Sequence, residues 1–238
     1  MPKTIEYKKE FFDLLNDLTS INNSIGIERE DDKIVVRKFD KSKTLPYILT
    51  APNSYFNIEN TVCFYNFSNF YRYMEMIKDP QISITETDGV NDKIKLFNSS
   101  ARVNYILSEK EGIINGPAEV EFGESDITFT LLKDELDEIC KMNNLIKAEI
   151  AEISCKGNKV IIKIFSDENG NSFEKAFKVE RLTDYDEDIE FKILSKVFGL
   201  LPSKKDYNIF IKKEKYIKFD LVHDEIDLMV YSGAMDDE

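Results

Sequence analysis

Over residues 7–22 the apolar positions Phe11, Leu14, Leu15, Leu18 and Ile21 fall three and four apart, which places them on one stripe and predicts an amphipathic helix. The segments 24–30, 32–40 and 45–51 then alternate apolar and polar residues between Asp, Lys, Ser or Pro, and are expected to be strands. After a short strand at 60–65, helical spacing returns in Phe67, Phe70, Tyr71, Met74 and Ile77, and Asp79 and Pro80 stop it. Three more alternating strands follow between Gln81 and Leu107, the first turn holding Asp88 and Gly89.

The second half repeats this order. Leu132, Leu136, Ile139 and Met142 form a stripe that matches Phe11, Leu15, Leu18 and Ile21 at a constant offset of 121. "KVIIKIFS" at 159–166 answers "KIVVRKFD" at 33–40. Phe191, Leu194, Val197 and Leu201 answer Phe64, Phe67, Phe70 and Met74, which predicts a second helix in this half as well. Ile209 and Ile211 then answer Ile82 and Ile84, and 215–232 supplies two last strands. The paired asparagines Asn22 and Asn23, and Asn143 and Asn144, are expected to end the first helix of each half. The pattern as a whole predicts an α+β unit present twice, two helices packed on antiparallel sheet in each copy. Residues 108–126 are rich in charge, Gly and Pro and lack periodicity, so the expected organisation is a domain at 1–112, a connector at 113–126 and a second domain at 127–238.

Composition narrows the function classes. With 42% apolar residues, among them 17 Phe and 11 Tyr, 238 residues can fill real cores. No apolar run approaches the length that spans a bilayer and no secretion signal opens the chain, so a cytoplasmic location without a membrane partner is expected. Cys63, Cys140 and Cys155 lie far apart without CxxC spacing and read as buried thiols. A net charge of -13 excludes a broadly basic nucleic-acid coat, though not a local basic face.

Catalytic chemistry is missing from the pattern. The one histidine, His223, sits in an alternating segment with no identifiable partner. Residues 167–171, "DENGN", begin like a calcium loop, but Ser172 and Lys178 occupy the positions that need Gly and Glu, so a hairpin turn is expected. "DYDEDIE" at 184–190 reads as a solvated acidic loop or a gathering point for a divalent ion. There is no Walker loop, GxGxxG or GxSxG. The expectation is a non-enzyme without cofactor or metal.

The repeated order of helix, strands, helix, strands, and in particular "FFDLLNDLTSINNSIGIE" followed by "KIVVRKFD", resembles the DNA polymerase sliding clamps of T-even-type bacteriophages. The wider family includes proliferating cell nuclear antigen and the bacterial β clamp. The resemblance covers nearly the whole chain and implies a duplicated DNA-clamp fold, a homotrimeric ring of six like domains around duplex DNA, and a processivity role with a DNA polymerase and a clamp loader as partners, in an infected host cell if the chain is viral. An acidic interaction protein, such as a DNA mimic that inhibits a nucleic-acid-binding enzyme, is the alternative from another class.

The resemblance also implies surfaces. Helices line the family's inner wall, which makes Lys8, Lys9, Arg72, Lys78, Lys141, Lys192, Lys196, Lys204 and Lys205 the candidate DNA-facing cations; ordinary solvated lysines are the other reading. Asp13, Asp17, Asp134 and Asp137 share the polar faces of the first helices, so the grip is expected to be weak and salt-sensitive. Edge strands at 101–107 and 173–179 are the candidate subunit contact, with Val103, Tyr105, Leu107, Phe173, Phe177 and Val179. Ile113, Ile114, Val120, Phe122, Met229 and Tyr231 are the candidate apolar pocket for client peptides, or else simple core packing.

Overall fold

The computed structural model describes residues 4–87, 89–113, 116–166, 168, 170–181, 188–202, 205–212 and 216–235. The chain forms two units, one of residues 1–43, 47–118 and 225–227, the other of residues 44–46, 119–224 and 228–238. The segment read as a connector is divided between them at Ala118 and Glu119.

The first unit runs β1 (Thr4–Ile5), α1 (Lys9–Leu18), β2 (Ile25–Glu30), β3 (Lys33–Phe39), β4 (Pro46–Pro52), β5 (Val62–Phe64), α2 (Phe67–Met76), β6 (Gln81–Thr87), β7 (Val90–Phe97) and β8 (Arg102–Ile106). The second runs β9 (Ile127–Leu131), α3 (Lys133–Ile146), β10 (Ile150–Lys156), β11 (Lys159–Phe165), β12 (Ser172–Lys178), β13 (Glu180–Arg181), β14 (Ile189–Leu194), α4 (Lys196–Leu200), β15 (Tyr207–Lys212), β16 (Tyr216–Leu221) and β17 (Asp227–Gly233). Strand order shows the duplication directly. β1-β6-β7-β8 and β4-β3-β2-β5 in the first unit correspond to β9-β15-β16-β17 and β12-β11-β10-β14 in the second, and β13 is an addition beside β9. The hairpins β6–β7–β8, β15–β16–β17 and β10–β11–β12 are antiparallel.

Aromatic rings hold the first core together. Phe12 of α1 touches Phe56, Phe67 and Phe70, with centroids 5.1, 6.0 and 6.1 Å away, and Phe64 lies 4.7 Å from Phe70. Such pairs contribute roughly 0.5–1.5 kcal/mol each beyond the area they bury. The second core is more aliphatic. Leu136 and Ile139 of α3 are buried with Ile153, Ile162, Ile164 and Ile193, and Phe198 meets Phe219 edge-on at 5.9 Å. Cys63 and Cys155 are buried and Cys140 is half-buried, all three as free thiols.

Three details depart from the pattern-based reading. α3 runs through Asn143 and Asn144 to Ile146 and ends on Lys147, whose φ of 58° gives the left-handed cap. Asn22 and Asn23 follow a helix that has already stopped at Leu18, and they serve as side-chain connectors: the Asn22 amide donates to the Phe39 carbonyl at 3.2 Å and that of Asn23 to Asn66 Oδ1 at 3.1 Å. Leu132 is exposed at the start of α3, outside the buried stripe that Leu136, Ile139 and Ile146 form.

Two further departures lie in the second half. α4 is five residues long where α2 has ten, because Gly199 weakens it and Pro202 follows its C-cap Leu201. Residues 189–194 form a strand, in which Ile189, Phe191 and Ile193 are buried and Glu190 and Lys192 are exposed. Lys192 therefore stands on a strand, across from Glu152 and on the face opposite Phe191, not on the second helix. The DENGN stretch is partly outside the described residues. Its flanks close a hairpin, with Ser166 N–H donating to the Asn171 carbonyl and Gly170 N–H to the Ser166 carbonyl, both at 3.0 Å.

Candidate functional site

The polar faces of the helices carry most of the cations of interest. In the first unit, two of them are already engaged. Lys8, at the start of α1, donates to Glu225 Oε2 at 3.0 Å and lies 3.7 Å over the Tyr55 ring, while the Tyr55 hydroxyl donates to the same carboxylate oxygen at 2.5 Å. Lys9 donates to Asp13 Oδ1 at 2.8 Å, pairs with Glu75 Oε1 at 3.0 Å, and donates to the Tyr71 hydroxyl at 3.3 Å. The hydroxyl of Tyr71 in turn donates to Asp13 Oδ1 at 2.6 Å. These bonds, Asp13 first, raise the Lys9 pKa above its ordinary value, and Glu225 does the same for Lys8. Only the Lys9–Asp13 link, at i and i+4, is visible in sequence.

Arg72 on α2 and Lys78 beyond it are exposed, and neither has an ion-pair partner among the described residues. The same holds in the second unit for Lys141 on α3 and for Lys205 between α4 and β15. Lys196 opens α4 and is exposed. Lys204 lies outside the described residues. α3 also carries carboxylates that reach the sheet: Lys175 of β12 pairs with Glu138 Oε2 at 2.5 Å and Glu135 Oε1 at 3.9 Å. Asp206 caps α3 from outside, accepting from Lys133 N–H at 2.6 Å.

Among the sheet ends of the described residues are β8 in the first unit and β12 in the second, each with one edge unpaired. Alternate side chains of each turn inward. Tyr105 packs on Phe70 at 5.3 Å and donates to the Asn66 carbonyl at 2.8 Å, and Phe177 stacks on Phe129 at 4.9 Å. Val103, Phe173 and Val179 are half-buried, and Leu107 lies buried just past β8. To solvent these strands present the unpaired backbone of one edge and their outward side chains, the exposed Ile106 among them.

Of the apolar pocket residues, three meet in the second unit. The Phe122 ring lies 6.0 Å from that of Tyr231, whose hydroxyl donates to Met229 Sδ at 3.2 Å. Lys218, paired in register with Tyr231, holds its ammonium 5.7 Å from Phe122 and 4.2 Å from Phe210. Val120 is half-buried nearby in sequence. Burial, with the nearby Asp220 carboxylate, raises the Tyr231 pKa, and Lys218 pairs with Asp220 Oδ2 at 3.6 Å, so the surface sets a phenol beside an ion pair. Ile113 is buried in the first unit, and Ile114 lies outside the described residues. Sequence reasoning missed Lys218 because only cross-strand register places it against Phe122.

Among the described residues no group of His, Cys, Asp and Glu side chains is placed to hold a metal ion, and residues 184–187 of the acidic run lie outside them. Among the described residues no helix is long and apolar enough to cross a membrane.

No protein-family model matches the chain, and no curated protein is similar to it in sequence. Solved structures are similar along its whole length. Proliferating cell nuclear antigen from Entamoeba histolytica superposes with a TM-score of 0.79 at 14% identity, covering 99% of this chain and 100% of its own. The Thermococcus kodakaraensis protein gives 0.74 at 12% over 98% and 99%, and that of A. fulgidus, solved with the C-terminal region of FEN-1 bound, gives 0.73 at 10% over 100% of both chains. At such identities the likeness is one of architecture, and the architecture is the duplicated clamp fold of proliferating cell nuclear antigen.

Proposed function

We propose that the chain is a sliding clamp, a non-enzymatic processivity factor that encircles duplex DNA as a homotrimer and tethers a polymerase. The observation that carries this reading is the clamp fold present twice over the full length. Two units per chain and three chains make six units, and cyclic symmetry closes them without a leftover interface. The unpaired edges of β8 and β12 support closure, since pairing a neighbour's β12 against β8 satisfies backbone groups on both. Beside β8, α2 presents Tyr73, 6.5 Å from Tyr105, and the exposed Met76 one turn on. Beside β12, α3 presents the exposed Leu145 on the side that carries Glu138. In such a contact Val103, Tyr105, Leu107, Phe173, Phe177 and Val179 contribute through backbone and shape.

Arg72, Lys78, Lys141, Lys196 and Lys205 are the cations we assign to the duplex. A few phosphate contacts hold DNA loosely, as movement along it requires. The surface of Phe122, Met229 and Tyr231 is assigned to client peptides, by analogy with the FEN-1 segment bound to the A. fulgidus protein. A separate loader opens the ring, and the phage-type sequence resemblance supports a viral clamp acting in the host cytoplasm. Arg72 on α2 and Lys141 on α3, exposed and without an ion-pair partner among the described residues, favour this reading over a DNA mimic, although both helices also carry exposed carboxylates. Light scattering tests it, with a mass near three times 27.7 kDa expected, together with loader-dependent retention on nicked circular DNA that is lost on linearisation. A monomer at every concentration without such retention overturns it.

A further inference from the structure

The solvent face of α1 carries one cation, Lys9, among Glu10, Asp13 and Asp17. An ammonium has three N–H donors, and Lys9 has three acceptors in place: Asp13, Glu75 and the Tyr71 oxygen, at 2.8, 3.0 and 3.3 Å. The Tyr71 proton is committed to Asp13, so its oxygen is left to accept from Lys9. For a phosphate to bind Lys9, one of these bonds must be given up. The cluster also repels phosphate, because two carboxylates surround one ammonium. By contrast, Lys141 on α3 is exposed and has no carboxylate within ion-pair distance among the described residues.

We propose that Asp13 and Glu75 are built-in counterions that withdraw Lys9 from a duplex lying along α1, leaving phosphate contact to cations such as Lys141. The inference rests on the clamp reading for the presence of DNA at this face. Asp13 comes from α1 and Glu75 from α2, so the withdrawal depends on the packing of the two helices. Its effect is to lower the grip on DNA at the first unit while the second keeps its cation available. Because screening acts over about 8 Å at physiological salt, the local cluster outweighs distant charge.

Binding of a short duplex at graded salt tests this with wild type, Lys9→Gln, Lys141→Gln, Asp13→Asn/Glu75→Gln and the triple variant that adds Lys9→Gln. Lys9→Gln is expected to bind within about twofold of wild type, whereas Lys141→Gln binds more weakly, with a salt slope shallower by about 0.9, the value of one phosphate contact. Asp13→Asn/Glu75→Gln is expected to bind more tightly with a slope steeper by about 0.9, and adding Lys9→Gln removes that steepening. Equal effects of Lys9→Gln in both backgrounds overturn the proposal, as does an absence of duplex binding by every variant. Retention on nicked circular against linear DNA, measured in parallel, reports on encirclement alone: its loss with the titration results intact overturns the ring and not the counterions.

Discussion

Gly116 lies directly on the backbone of β3, its N–H donating to the Arg37 carbonyl at 2.8 Å, and a methyl group built on it would stand 2.8 Å from the carbonyl carbon of Lys38. Arg37 holds the same strap from the other side, donating to the Ala118 carbonyl at 3.0 Å while pairing with Glu30 at 2.7 Å. Gly116→Ala forces strap and strand apart, and the expected cost is about 1–3 kcal/mol, as for an overpacked core. Denaturant unfolding measures it, and limited proteolysis should show earlier cleavage between Gly112 and Glu121. Unchanged stability and cleavage would mean the strap yields freely.

Tyr47 on β4 is wholly buried, and its hydroxyl has no hydrogen-bond partner among the described residues. Burial alone raises its pKa. Removing an unpartnered buried hydroxyl removes a desolvation cost of about 1–3 kcal/mol while keeping the ring. Tyr47→Phe is therefore expected to leave stability unchanged or raise it by up to that amount. A clear fall in the denaturation midpoint would show that the hydroxyl has a partner in solution.

Lys38 of β3 is also wholly buried, its ammonium 3.4 Å from Ser24 Oγ, and burial pulls its pKa down to about 8. In the unfolded chain the same group titrates near its ordinary value of about 10.4. Between these values the unfolded state binds more protons, so this residue makes stability rise with pH, by at most about 1.4 kcal/mol per unit. Cys63 and Cys140, whose pKa values burial raises, act in the opposite sense near and above pH 9. Comparison with Lys38→Met separates the terms: wild type should gain on the variant between pH 8 and 9.5. A constant difference over that range would place the lysine pKa elsewhere.

Met76 and Leu145 are 79% and 76% exposed, so glutamate at either costs the folded unit little. If α2 of one chain packs near α3 of the next, Met76→Glu or Leu145→Glu should lower the mass measured by light scattering and leave the melting of the diluted protein unchanged. A full-size assembly in both variants would place the contact elsewhere.

How much of this was legible beforehand depends on how local the signal is. The Phe11–Leu15–Leu18 stripe and the alternation of 159–166 are short-range patterns, and through them the duplication of an α+β unit could be read. Phe191, Leu194, Val197 and Leu201 misled because their spacing fits a helix, while the alternation of Phe191 and Ile193 marks the strand that β10 pairs with. The Asn pairs misled in another way: αL tolerance made them plausible stops, but Lys147 takes that conformation and Asn23 is used for its side chain. The candidate site was half legible. Lysines on polar helix faces can be picked out by eye, and so can the Lys9–Asp13 pair, but the remaining contacts of Lys8 and Lys9, with residues 55, 71, 75 and 225, come only from tertiary packing.

Asn23 holds Asn66 Oδ1 and accepts from Ser68 N–H at 2.9 Å, where α1 has ended and α2 begins, and the Lys9 cluster ties the start of α1 to the last turn of α2. The two helices are thus fastened at both ends, like a beam pinned at each support. A load applied at mid-span cannot swing one against the other about a single joint. α3 and the one-turn α4 share a contact of a different kind, Cys140 Sγ donating to the Phe198 carbonyl at 3.2 Å. The repeat that doubled the fold has therefore left one stiff half and one with shorter bracing, and hydrogen exchange should be slower in α2 than in α4.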